Sequence, residues 1–167
     1  LVHQFLSPIS NHRTDVYGDP HRFAFEVVSA VKAALPASVA LWFRVSAREY
    51  QPGGYVEGYL DSLLPRLVQA GVDTFDVSTG GNGPLRPDVH PGYQLRFARH
   101  VRELTSVPVA SVGALHHPAL AEFAVQEGYC DVVLIGKAML RTPYWAHEAA
   151  RALGVDHVLP GEYDKGV

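Results

Sequence analysis

The chain has 167 residues, a formal net charge of −3, 47% apolar and 19% charged residues. This is the composition of one globular domain able to bury a core, and it excludes a disordered chain. A pI near 6.3 carries no electrostatic footprint for nucleic acid, and the single cysteine, Cys130, excludes an internal disulfide framework or a cysteine-based zinc site.

No apolar run approaches the roughly 20 residues that cross a bilayer, and no signal peptide is visible, so cytoplasmic residence without membrane contact is expected. The chain opens on Leu1 and its one methionine is Met139, so the expectation is that sequence ahead of Leu1 has been removed or left out. After a polar, loop-like opening, Phe23, Ala24, Val27, Val28, Val31 and Leu35 recur at helical spacing. Asp19-Pro20 reads as the start of that helix, an N-cap followed by proline at the first helical position, and Pro36 as its stop. Residues 39–45 form a short apolar run without alternation, which suits a strand buried on both faces of a parallel sheet. A helix is predicted over about 56–70, closed by Gly71, then a strand over 72–77. A glycine-rich loop spans 78–91, and a helix runs from about 92 to 104. Two more units follow: strand 107–112 with helix 118–126, and strand 131–135 with helix 143–153. Residues 155–167 read as an irregular tail.

A helix followed by four strand–helix units, with no linker, predicts one α/β domain over residues 1–167 with parallel strands. The outcomes are an open doubly wound sheet or part of an eight-fold barrel. Four strands are too few to close a barrel, so a half-barrel leaves two edge strands that invite a partner.

Polar and glycine positions at the strand ends are the candidates for chemistry, because that end carries the active site of a barrel. They are Arg44 and Ser46, Ser78 with Gly80 and Gly81, Gly113, and Gly136 with Lys137. Glycines straight after the last two strands suit a phosphate site made of backbone N–H groups, with Lys137 adding a cation, or simply allow tight turns. Arg44 lies inside an apolar strand, and a buried guanidinium needs an anionic partner. That partner is either Asp76 on the next strand or a cofactor. Nine histidines invite a metal reading. His116 and His117 are adjacent and point apart, while His12, His21, His90 and His100 lack matched carboxylate spacing, so no metal site is expected. Gly80-Gly81-Asn82-Gly83 lacks the Walker and dinucleotide patterns and reads as a mobile loop.

The opening His3-x-Phe5-Leu-Ser7-Pro8, Asn11-x-Arg13-x-Asp15-x-Tyr17-Gly18 closely resembles the old yellow enzyme family, FMN-dependent ene-reductases on a (β/α)8 barrel. The resemblance runs on through Phe43-Arg44-Val45-Ser46, Gly71-Val72-Asp73, Asp76-Val77-Ser78, Pro91-Gly92-Tyr93-Gln94, Val112-Gly113 and Ile135-Gly136-Lys137. Tyr163-Asp-Lys165-Gly166 looks like the tail of the bacterial, thermophilic-like branch. These motifs belong to the C-terminal half of the barrel.

The resemblance implies the following roles. Arg44 contacts the pyrimidine end of the flavin, Ser78 sits beside it, and Gly113, Gly136 and Lys137 hold the FMN phosphate. Lys165 stands where the family has the tail arginine that reaches a neighbouring subunit's site. The implied reaction reduces an activated alkene with hydride from NAD(P)H by way of FMN. The implied partners are a complementary N-terminal half-barrel, as a separate chain or segment, and further copies in an oligomer. The family's substrate-gripping pair and proton-donating tyrosine belong to that other half, so no catalytic acid–base residue is assigned to this chain. Lys137 replaces the family's usual arginine, and Val167 its terminal tryptophan. A non-catalytic remnant or scaffold that has lost flavin, and a dimer of two half-barrels, stand as alternatives.

Overall fold

A computed structural model describes residues 1–155. The expected tail beyond Val155, with Lys165, lies outside the described residues. In chain order the elements are α1 (Val2–Leu6), a 3-10 turn (Val16–Gly18), α2 (Arg22–Ala34), β1 (Trp42–Ser46), α3 (Leu64–Gln69), β2 (Thr74–Ser78), α4 (Leu95–Thr105), β3 (Val109–Ser111), α5 (Pro118–Gln126), β4 (Val132–Val133), α6 (Lys137–Arg141) and α7 (Trp145–Ala152). The strands lie in the order β1-β2-β3-β4, every pair parallel. Chain order equals sheet order, as successive right-handed βαβ units produce it. Among the described residues β1 pairs only with β2 and β4 only with β3, so there the sheet is a partial barrel with two open edges.

Register settles which side chains share a face. Arg44 is opposite Asp76, which is opposite Ala110, which is opposite Val132; Phe43, Phe75 and Val109 alternate with them and point the other way. The second set packs under the helices. Phe75, Val77 and Val109 are fully buried with Leu67 of α3 and Phe97 and Val101 of α4, and this layer is the main hydrophobic core. The first set lies on the opposite face, where Trp42 and Arg44 are exposed.

The bases of the strands are tied by a device used twice. Asp73, ahead of β2, accepts the backbone N–H of Leu41 at 2.7 Å and Lys32 Nζ at 2.8 Å. Asp131, ahead of β4, accepts the N–H of Val109 at 2.9 Å and Arg102 Nε at 3.1 Å. Each carboxylate holds the start of the preceding strand and a cation from the helix that leads into that strand.

Several sequence expectations need correction. The helix predicted over 56–70 is helical only over Leu64–Gln69; residues 57–63 form successive turns. Gly58 has φ +89°, which a right-handed helix cannot contain, and Pro65 restarts the helix from its first turn. The loop-like opening holds the short helix α1, and α6 begins straight after Gly136, where a turn was expected. Asp19 acts one turn early: its side chain accepts the N–H of His21, and α2 starts at Arg22.

Helix α4 ends at Ser106 with φ 57°, a left-handed position that favours glycine. Ser106→Gly is expected to raise stability by about 0.5–1 kcal/mol, read as a higher denaturation midpoint at unchanged m-value.

Candidate functional site

The C-terminal ends of all four strands open into one cleft of about 850 Å³. Arg44 and Ser46 reach it from β1, Ser78 from β2, Gly113 from the turn after β3, and Gly136 and Lys137 from the start of α6. Every candidate named from the sequence within the described residues is thus brought to one place.

Arg44 donates through Nη1 to Asp76 Oδ2 at 2.7 Å, across paired positions of β1 and β2. The expected ion pair therefore exists, but the expected burial does not. The Arg44 side chain is 58% exposed and the Asp76 side chain 14%. One guanidinium nitrogen is engaged, the remaining donors bond no acceptor among the described residues, and the side chain lines the cleft. Asp76 Oδ1 is buried with no hydrogen-bond partner among the described residues. Ser78 Oγ donates to the carbonyl of Val45 at 3.2 Å, which leaves its lone pairs open.

Gly113 has φ +124°, and a Cβ there would lie 2.8 Å from Gln94 Nε2 and 3.0 Å from a Tyr93 ring carbon. Only glycine fits, so the chain passes bare backbone along the cleft. Gly136 meets nothing within 4 Å of its Cβ direction. The N–H groups of Gly113 and Gly136 bond no acceptor among the described residues, and the first N–H groups of α6 have no intrahelical partner. The ammonium of Lys137 is exposed and forms no ion pair among the described residues. Unpaired donors with a cation make a set that suits a phosphate.

Sequence reasoning missed three contributors. Arg141 also lines the cleft, four residues after Lys137 on α6; the i, i+4 spacing of two cations was the available signal. Gln94 is buried, and it links the ends of two strands. Its Oε1 accepts Thr79 Oγ1 at 3.0 Å, its Nε2 donates to the carbonyl of Val112 at 3.1 Å, and Tyr50 donates to Thr79 in turn. A lone glutamine gives no such signal in a sequence.

The third is Glu49, a buried carboxylate just after β1. Its Oε2 accepts Ser7 Oγ at 3.0 Å and the N–H of Tyr55 at 3.0 Å. Its Oε1 meets His3 Nε2 at 3.0 Å and the side-chain amide of Asn82. His3 and Asn82 both line the cleft. The glycine-rich loop expected to be mobile is pinned here and through Gln51, which donates to the carbonyl of Leu85 at 2.9 Å.

Burial pushes the Glu49 carboxyl up, but hydrogen bonds from Ser7, Asn82, His3 and Tyr55 together hold it below its ordinary value. Asp73 is lowered too, first by Lys32 and then by the N–H of Leu41. Both folded values lie below the unfolded ones, so around the ordinary carboxylate range the unfolded chain binds more protons. Their stabilisation is complete above that range and is lost as pH falls through the folded values. The melting temperature is therefore expected to drop on acidification, and less steeply in Glu49→Gln than in the parent; equal slopes would contradict this.

No three of His, Cys, Asp and Glu gather to hold a metal ion among the described residues, and none of their helices is long and apolar enough to cross a membrane. The family model of the NADH:flavin oxidoreductase / NADH oxidase family matches residues 1–155. An NADPH dehydrogenase of Geobacillus thermodenitrificans (strain NG80-2) is 38% identical over 99% of this chain and 49% of its own length. One of Geobacillus sp. (strain WCH70) is 34% identical with the same coverage. The chain thus spans about half the length of the curated relatives it matches. Among solved structures, a 2-naphthoyl-CoA reductase bound to 2-naphthoyl-CoA matches 93% of this chain and 25% of its own, with TM-score 0.83 and 22% identity, a likeness of fold alone.

Proposed function

Because this chain belongs to the NADH:flavin oxidoreductase / NADH oxidase family, the old yellow enzyme family, we propose that it supplies the FMN-holding half of a (β/α)8-barrel oxidoreductase. The observation that carries the reading is the single cleft joining Arg44, Ser78, Gly113, Gly136 and Lys137 at the ends of four parallel strands.

The donor set fits FMN at both ends. Gly113 is a cradle that a Cβ would fill, and its N–H, with that of Gly136 and the Lys137 ammonium, suits the phosphate. The free donors of Arg44 suit the electron-rich pyrimidine edge. Asp76 holds that guanidinium in place at 2.7 Å, and Gln94 keeps the turn at Gly113 fixed to the end of β2. Arg141 adds positive charge at the phosphate side. The chemistry supplied by bound FMN is hydride transfer from NAD(P)H to the β-carbon of an activated alkene. This chain's part is binding and orientation. The groups that grip the alkene and donate the proton come from a complementary half-barrel pairing with the open edges of β1 and β4, and the assembly is a cytoplasmic oligomer.

Co-expression with a complementary half-barrel tests this. Nicotinamide-dependent reduction of an enone, dependent on added FMN, is the expected result. An assembled protein that neither binds FMN nor oxidises a nicotinamide would contradict the reading and leave a non-catalytic scaffold.

A further inference from the structure

We propose that Glu49 is a positioning residue that sets the proton arrangement at the mouth of the cleft, fixing His3 as its Nε2–H tautomer and clipping residues 80–83 in place through Asn82. The inference concerns the chain's own residues and holds whether or not FMN binds.

The two oxygens of Glu49 have separate duties. Oε2 faces inward and takes Ser7 Oγ and the N–H of Tyr55, which seats the carboxylate between α1 and the loop after β1. Oε1 faces the cleft residues His3 and Asn82. An ionised carboxylate only accepts, so the His3 nitrogen 3.0 Å away must carry the proton. Tyr55 is compatible with that proton. Its hydroxyl spends its one proton on the carbonyl of Ser46 at 2.6 Å, so toward His3 Nε2, 3.2 Å away, it can only accept. The Asn82 amide also abuts His3 Nε2; with both nitrogens protonated neither can accept from the other, so Glu49 Oε1 takes a proton from each.

Two consequences follow. His3 Nδ1, which bonds no described residue, keeps its lone pair and is an acceptor on a cleft-lining ring. It suits a hydrogen-bond donor on a bound small molecule, such as an amide or hydroxyl. Asn82 lies between Gly81, at φ +96°, and Gly83. Such a segment has high backbone freedom, and Asn82 is its side-chain anchor.

Glu49→Gln in the full chain separates this from a generic structural role. Glutamine keeps an oxygen for Ser7 and Tyr55 but turns an NH2 donor toward His3 and Asn82. Ring nitrogen NMR of the neutral imidazole is expected to find His3 as Nε2–H in the parent and Nδ1–H in Glu49→Gln. Amide exchange at Gly80, whose N–H donates to the carbonyl of Arg48 at 2.8 Å, is expected to rise about tenfold, with β2 unchanged. Adding Asn82→Asp restores an acceptor opposite the new amide and is expected to recover the protection, which lost packing would not do. An Nδ1–H ring in the parent, or a Glu49→Gln variant with parental tautomer and exchange, overturns the proposal. Should Glu49→Gln fail to fold, Asn82→Ala at the exposed position decides. Faster exchange at Gly80 with His3 still Nε2–H supports the proposal, and parental exchange overturns it.

Discussion

Replacing Phe75 by alanine is expected to cost the fold about 3–5 kcal/mol. The ring is fully buried in β2, meets Phe43 edge-on at 6.3 Å, and lies opposite Val109 in register. It sits at the centre of the layer between the sheet and α4, where no neighbour can collapse into the space. Trp42→Ala is the control. Trp42 is the larger side chain, but it projects from β1 on the opposite face and is 47% exposed. Its loss is expected to change stability by less than about 0.5 kcal/mol in this chain. Chemical denaturation of both variants measures the difference. Equal losses would mean that the two faces of the sheet are assigned wrongly.

Lys137→Glu is expected to weaken FMN binding by about 100-fold, and Lys137→Ala by about tenfold, once exposure to solvent is allowed for. Lys137 follows Gly136 at the start of α6 and lines the same cleft, and reversal both removes an attraction and adds a repulsion to a phosphate. The fold is expected to be unaffected, since Lys137 is exposed and forms no ion pair among the described residues. Fluorescence titration of the assembled protein with FMN measures the change. Riboflavin, which lacks the phosphate, is expected to bind parent and variant alike. An equal loss for riboflavin would place Lys137 somewhere other than the phosphate side.

The partial barrel was legible because each strand is a short apolar run and each helix carries its own period and glycine stop. Gly71, Gly128 and Gly154 all have positive φ just past a helix, as read from position alone. What was not legible depended on long-range contact. Residues 57–63 have helical apolar spacing, yet Gly58 breaks them into turns. Arg44 reads as buried from its apolar neighbours, but alternation places it on the face away from the helices. The Glu49 cluster joins His3, Ser7, Tyr55 and Asn82 across up to 79 positions, beyond any local pattern. The strand-end candidates were legible because barrel chemistry collects at one predictable end.

The visible absorption spectrum of the natively assembled protein, with an intact mass for every chain present, tests the central claim most directly. A flavin spectrum at one FMN per copy of this chain, together with a chain of complementary half-barrel size, is the expected result. A colourless protein that takes up no added FMN would contradict the account, and the binding roles of Arg44, Gly113, Gly136 and Lys137 would fall with it.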